Sequence, residues 1–153
     1  MLSEICAELR NYFLRDYYSP DKYIHSGVFV IADGQIQSLP FLKPGQYYRI
    51  VGSTYNDGVW LYGDTETDMV DEEFTGTIWE MFVPPAFLNL CKEIEDWCTA
   101  NAAALSSPYT SESYVAYSRT LKSGVGGAVD GGVFGWQTQF ANRLKKYRRL
   151  REI

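Results

Sequence analysis

Histidine is almost absent: His25 is the only one in 153 residues. Catalytic triads and most zinc centres draw on imidazole, so one histidine with no GxSxG-like or cysteine context around it argues against both classes. His25 reads as a loop residue beside a strand start. Cysteine is scarce as well. Cys6, Cys91 and Cys98 have no metal-ligand spacing, and each falls on the apolar side of a helical pattern, as buried thiols of a reducing compartment do. Cys91 and Cys98 are separated by roughly 10 Å of helix rise, too far for a mutual disulfide. Long apolar runs are missing too. No segment approaches the ~18 apolar residues of a membrane span, and Glu4, Glu8 and Arg10 interrupt the first stretch where a secretory leader would be uniform. These absences lead to the expectation of a non-enzymatic cytoplasmic chain with no cofactor, no metal and no membrane partner.

Aromatic residues are abundant, with 12 Tyr, 8 Phe and 4 Trp. Such rings bury much area at little rotamer cost, which suits a β-rich core and sticky interfaces alike. Charge is unevenly distributed. From residue 143 on, Arg143, Lys145, Lys146, Arg148, Arg149 and Arg151 face only Glu152, so a tail of +5 hangs on a body of −10 within a net charge of −5.

The chain is organised around residues 45–105. Tyr47–Val51 and Val59–Tyr62 are rich in aromatic and β-branched residues and flank Asn56-Asp57-Gly58, a hairpin signature in which Asp-Gly supplies positive φ. Asp33-Gly34 is a second such turn. Strands are expected near 27–32, 35–39, 46–53, 58–62 and 74–82. Pro84 ends the last of them because it has no N–H to give a ladder, and Pro85 suits the first turn of a helix. That helix carries Phe87, Leu90, Cys91, Ile94, Trp97 and Cys98 on one face, which should lie against the sheet. Leu2 to Phe13 reads as a further amphipathic helix, with Ser3 as N-cap.

The expected class is therefore α+β: a small, strongly bent antiparallel sheet or SH3-like, partly open β-barrel of about five strands. An N-terminal helix spans 2–13 and a longer covering helix about 85–105. Composition divides the chain into one α+β domain over 1–121, a Gly-rich linker over 122–134 and a basic amphipathic helix over 135–153. Ser106–Ser113 reads as a polar, turn-rich run, and Tyr114–Leu121 as weakly β-like. The linker has little side chain to bury and much backbone freedom to lose, so it reads as a flexible leash. In the last segment Trp136, Phe140, Leu144, Tyr147 and Leu150 recur at spacings of 4, 4, 3 and 3. This is the pattern of a docking helix.

Three clusters could carry chemistry. Residues 64–73 hold six carboxylates, and Asp64, Glu66 and Asp68 alternate as in calcium loops, but Met69 stands where an EF-hand needs glycine. Besides loose cation binding, a solvated loop and a docking surface for a basic segment stay open. Residues 124–132 are rich in glycine, yet neither the P-loop nor the dinucleotide spacing is present. The C-terminal cations could contact nucleic acid, an acidic protein surface or a membrane. The acidic body favours protein.

The segments LKPGQYYRIVGSTYNDGVWLYG, GTIWEMFVPPAF, SSPYTSESY and WQTQFANRLKKYRRL, in this order, resemble a family of small proteins encoded among the head and tail morphogenesis genes of tailed phages and prophages of Gram-positive bacteria. The resemblance covers most of residues 27–150. It implies a non-enzymatic virion-assembly role, as a head–tail connector or adaptor bound to a portal, a tail-completion protein or copies of itself, first in the host cytoplasm and then in the virion. On that reading Trp136, Phe140, Leu144 and Tyr147 are the partner-binding anchors, and Arg143, Lys146 and Arg148 set orientation. The alternative is a nucleic-acid-binding module that uses the same basic helix.

Overall fold

The structure, a computed structural model, describes residues 1–103 and 135–150 and the backbones of 109–112 and 119–121. The contacts divide the chain elsewhere than composition does. One compact unit comprises Met1–Leu88 together with the residues from Arg148 on, and the other comprises Asn89–Tyr147. The 122–134 linker lies outside the described residues.

The first unit is built on a curled, five-stranded antiparallel half-barrel, as expected, with β1 (Ile24–Ala32), β2 (Gln35–Ile36), β3 (Tyr47–Val51), β4 (Gly58–Leu61) and β5 (Glu72–Glu80) in the order β2-β1-β5-β3-β4. The β1–β2 turn uses positive φ at Asp33 and Gly34, as the Asp-Gly signal predicts. Alternation then sorts the side chains. Phe29, Ile31, Tyr48, Ile50, Phe74 and Ile78 line the inner face, where Leu39, Leu42 and Met69 complete one buried cluster. Removing each such side chain from water contributes about 1.5–3 kcal/mol. Burial, and then the neighbouring Tyr62, pushes the Tyr48 hydroxyl well above its ordinary value. On the outer face the Arg49 guanidinium lies 3.6 Å from the Tyr12 ring centroid and 4.3 Å from that of Trp79, a cation held between two π faces.

The curl depends on a close crossing of backbones. Gly52 sits at φ +95°, and an added Cβ there would lie 3.1 Å from the Gly76 Cα. At Gly76, in mid-β5, an added Cβ would lie 2.3 Å from the Val51 carbonyl oxygen.

The β3–β4 hairpin forms, but its connection is a six-residue loop over 52–57 and not a tight Asp-Gly turn. Asn56 is the cause. It is 1% exposed, its Oδ1 accepts the Val70 N–H at 2.8 Å, and its Nδ2 donates to the Val70 carbonyl at 2.8 Å and to Glu72 Oε1 at 2.9 Å. Its side chain thus acts as one rung of a β-ladder to the segment leading into β5. Trp60 Nε1 donates to the Asn56 carbonyl at 2.8 Å, and the Ser53 hydroxyl accepts the Asn56 N–H and donates to Glu72.

Helix α1 spans Leu2–Leu9 and buries Ile5, Cys6 and Leu9. It is shorter than the predicted 2–13 because Arg10 turns left-handed at φ 54°. The Arg10 and Asn11 amides return to the Ala7 and Cys6 carbonyls, a Schellman closure with arginine where glycine is usual. Ser3 is not its N-cap. That position is Met1, and the Ser3 hydroxyl instead accepts the Val59 N–H at 3.3 Å, covering the outer edge of β4.

Residues 148–150 return to α1. The Arg149 N–H donates to the Leu9 carbonyl at 2.9 Å, and Arg148 donates to the Glu8 carbonyl at 3.0 Å and to its carboxylate at 3.2 Å. The Arg149 guanidinium stacks 3.5 Å from the Tyr17 ring centroid. A helix end leaves its last carbonyls without partners, and this strap supplies two of them. Cutting the chain after Tyr147 should therefore lower stability by about 1–3 kcal/mol, read as an earlier midpoint in urea unfolding.

Helix α2 (Pro85–Ala100) starts where Pro84 predicts, and Phe87, Leu90, Cys91 and Ile94 are its buried positions. In the second unit, β6 (Tyr109–Glu112) pairs antiparallel with β7 (Arg119–Leu121), so a strand stands in the run read as turn-rich. The chain then forms α3 (Trp136–Gln139), α4 (Ala141–Leu144) and a 3₁₀ turn over Lys145–Tyr147. The predicted continuous helix is broken at Phe140, whose ψ of 11° departs from helical values. None of the three cysteines is in a disulfide. Burial, with Glu95 adding to it, pushes the Cys91 thiol up to about 12. In native protein a thiol reagent should modify partly exposed Cys98 first, and Cys6 and Cys91 only on unfolding.

Candidate functional site

Three of the predicted anchors are buried within the chain itself: Trp136 is 8% exposed, Phe140 9% and Leu144 2%. Phe140 meets Trp97 of α2 edge to face at 5.8 Å. Tyr147 is half-buried, and Leu150, predicted to share that face, is 90% exposed because the helix is broken before it. The basic residues are engaged. Arg143 forms a bidentate pair with Glu93 at 2.6 and 3.1 Å, which holds the Glu93 carboxyl below its usual range and raises the guanidinium. Arg148 belongs to the strap on α1, and the Lys146 ammonium lies 5.0 Å over its neighbour Tyr147. Trp136, Phe140, Arg143 and Leu144 thus belong to the second unit, and Arg148 to the first.

His25 lies on β1, not in a loop. Its ring stacks on Phe41 at 3.7 Å, and its Nε2 is 2.8 Å from Glu80 Oε2. Three of the six carboxylates in the acidic segment 64–73 accept hydrogen bonds within the protein. Asp64 accepts the Glu66 N–H, Asp71 accepts the Gly34 N–H, and Glu72 belongs to the Asn56 network. Among the described residues no group of three His, Cys, Asp or Glu is placed to hold a metal ion. A cavity of about 330 Å³ opens between Gln35, Pro44, Tyr48, Tyr62, Asp64 and Met69. The Tyr62 hydroxyl already accepts the Leu39 N–H at 3.0 Å.

What the sequence did not reveal is the free side of β1. The Val30 N–H donates to Gln37 Oε1 and its carbonyl accepts the Gln37 N–H, both at 2.9 Å, so the peptide groups of Val30 point away from β5. Strand alternation points those of Ile24, Ser26 and Val28 the same way. The Glu80 N–H reaching the Tyr23 carbonyl at 2.8 Å fixes the opposite parity for the odd positions. β2 pairs only with Ile31 and Ala32, so nothing described continues the ladder over residues 24–28. Above this edge runs an outer strip in which Ser26, Val28 and Val30 stand opposite Thr77, Thr75 and Glu73. Val28 is 56% exposed and Val30 39%. β1 starts three residues before the expected 27–32, and its partner β2 stops at Ile36, short of the expected 35–39.

Compared with protein-family models, curated proteins and solved structures, the chain has no significant match.

Proposed function

We propose that the protein is a non-enzymatic structural protein of tailed-phage virion assembly, a head–tail connector or adaptor that acts through protein–protein contacts. The observation that carries this reading is the outer strip of β1 and β5 beside a strand edge with no partner among the described residues. It presents exposed valines among threonines and serine, with Glu73 its one charge. Such a surface matches another folded chain better than water. Of the four segments that carry the resemblance to phage morphogenesis proteins, three fall on the β3–β4 hairpin, on the passage from β5 into α2 and on the C-terminal turns, and the fourth contains β6.

The working surface on this reading is the sheet and not a free C-terminal arm, since Trp136, Phe140 and Leu144 are already buried. A nucleic-acid reading draws on the same basic residues. Arg143, Arg148 and Arg149 are engaged with Glu93, Glu8 and Tyr17, which leaves it fewer cations to release condensed counterions.

Electron microscopy of lysates from an inducible prophage lacking this gene, beside the complemented strain, tests the proposal. DNA-filled heads lying separate from finished tails are expected. Intact infectious particles would overturn it.

A further inference from the structure

We infer that the open edge of β1 pairs with the same edge of a second copy, in an antiparallel register centred on Ser26. The inference rests on the reading of that strip as a contact surface and adds what occupies it. The two sheet edges are treated differently. At β4 the Val59 N–H is taken by Ser3, and the Leu61 carbonyl accepts the Asp64 N–H. At β1 the peptide groups of Ile24, Ser26 and Val28 have no partner among the described residues, and Ser26 and Val28 are exposed. Natural sheets guard such edges with lysine, proline or inward charges, and Ile24–Val30 contains neither lysine, proline nor a carboxylate.

The register follows from self-complementarity, since a two-fold axis sets one patch against itself. With Ser26 on the axis, Ile24 of each copy comes level with Val28 of the other, so apolar side chains meet on the outer face and the two hydroxyls meet between them. On the inner face His25 comes level with Gly27, whose missing side chain leaves room for the ring. Position 22 comes level with position 30, which brings Lys22 toward the Glu73 that pairs with Val30. In this register charges of opposite sign approach at the ends and none meet in the middle. Two chains with a net charge of −5 each can approach through an edge of this kind.

Sedimentation equilibrium of the full chain, with amide hydrogen exchange at several concentrations, tests the inference. A reversible species of twice the 17.5 kDa chain mass is expected, and exchange at Ser26 and Val28 should slow as the dimer fills. Val28→Lys should weaken association by about tenfold or more, because an ammonium would face the partner's Ile24. Ser26→Pro removes an outward N–H without touching the β1–β5 ladder, and should also give monomer with an unchanged far-UV spectrum. A wild-type chain that stays monomeric overturns the inference, whether or not another protein's strand then proves to fill the edge. A dimer that leaves Ser26 and Val28 unprotected, or survives both substitutions, overturns it as well. Neither result bears on the lysate experiment, in which the assembly role stands or falls by itself.

Discussion

Asn56→Ala is expected to lower the free energy of unfolding by about 2–5 kcal/mol, measured as the shift in urea midpoint at constant slope. The argument is one of unsatisfied groups. The substitution leaves the Val70 N–H and carbonyl without partners and takes a donor from Glu72. Each polar group so stranded costs up to about 1–3 kcal/mol, towards the upper end where water cannot replace the amide. Asn56 itself is 1% exposed, whereas Val70 is 48% exposed, so water can reach part of what the amide leaves behind. Asn56→Asp separates the two halves of the amide. A carboxylate still accepts the Val70 N–H, but it sets negative charge against the Val70 carbonyl and Glu72. Its folded-state pKa is therefore raised, and its cost should be largest above that pKa and shrink as pH falls and the new carboxyl gains a proton to donate. Equal losses for the two variants at every pH would show that the side chain merely fills space.

Gly76→Ala is the second large effect, at about 3 kcal/mol. A methyl group at this position would sit 2.3 Å from the Val51 carbonyl oxygen and 3.2 Å from the Phe74 ring. The oxygen is backbone and cannot rotate aside, so relief requires β3 and β5 to part where Val51 pairs with Thr77. The internal control is Gly27, directly opposite Gly76 on β1. An added Cβ there meets only the Phe29 ring at 3.8 Å, ordinary contact. Gly27→Ala should be neutral or slightly stabilising, by about 0.5 kcal/mol, through lost unfolded-state entropy. Thermal unfolding of the two variants side by side measures the difference. Similar melting temperatures would mean that the crossing of the strands is not tight.

What was legible in the sequence was local. The Asp33-Gly34 turn, the β3–β4 pairing and the change from strand to helix at Pro84-Pro85 each follow from the backbone preferences of a few neighbouring residues. Asn56 looked like a turn residue because its partners, Val70 and Glu72, lie 14 and 16 positions away. Which strand edge stays open depends on strand order, and no local pattern encodes that. In the C-terminal segment the apolar spacing marked Trp136, Phe140 and Leu144 as residues to be buried. It could not say that the chain itself buries them, with α2 supplying Trp97, nor that the helix would break at Phe140. The basic residues looked free because Glu8 lies 140 positions from Arg148 and Glu93 lies 50 from Arg143.

The strap on α1 also sets the order of events during synthesis. Leu2–Leu9 leave the ribosome ahead of the half-barrel, and the groups that complete the helix end, Arg148 and Arg149, are translated about 140 residues later. In the interval the Glu8 and Leu9 carbonyls can be served only by water, and Tyr17 awaits its guanidinium. Folding that proceeds from the N-terminus as the chain grows can shape the half-barrel during elongation, but its first helix is sealed only after Arg149 clears the exit tunnel. A ribosome that stalls upstream of that point releases a chain holding every strand of the half-barrel and lacking its final closure.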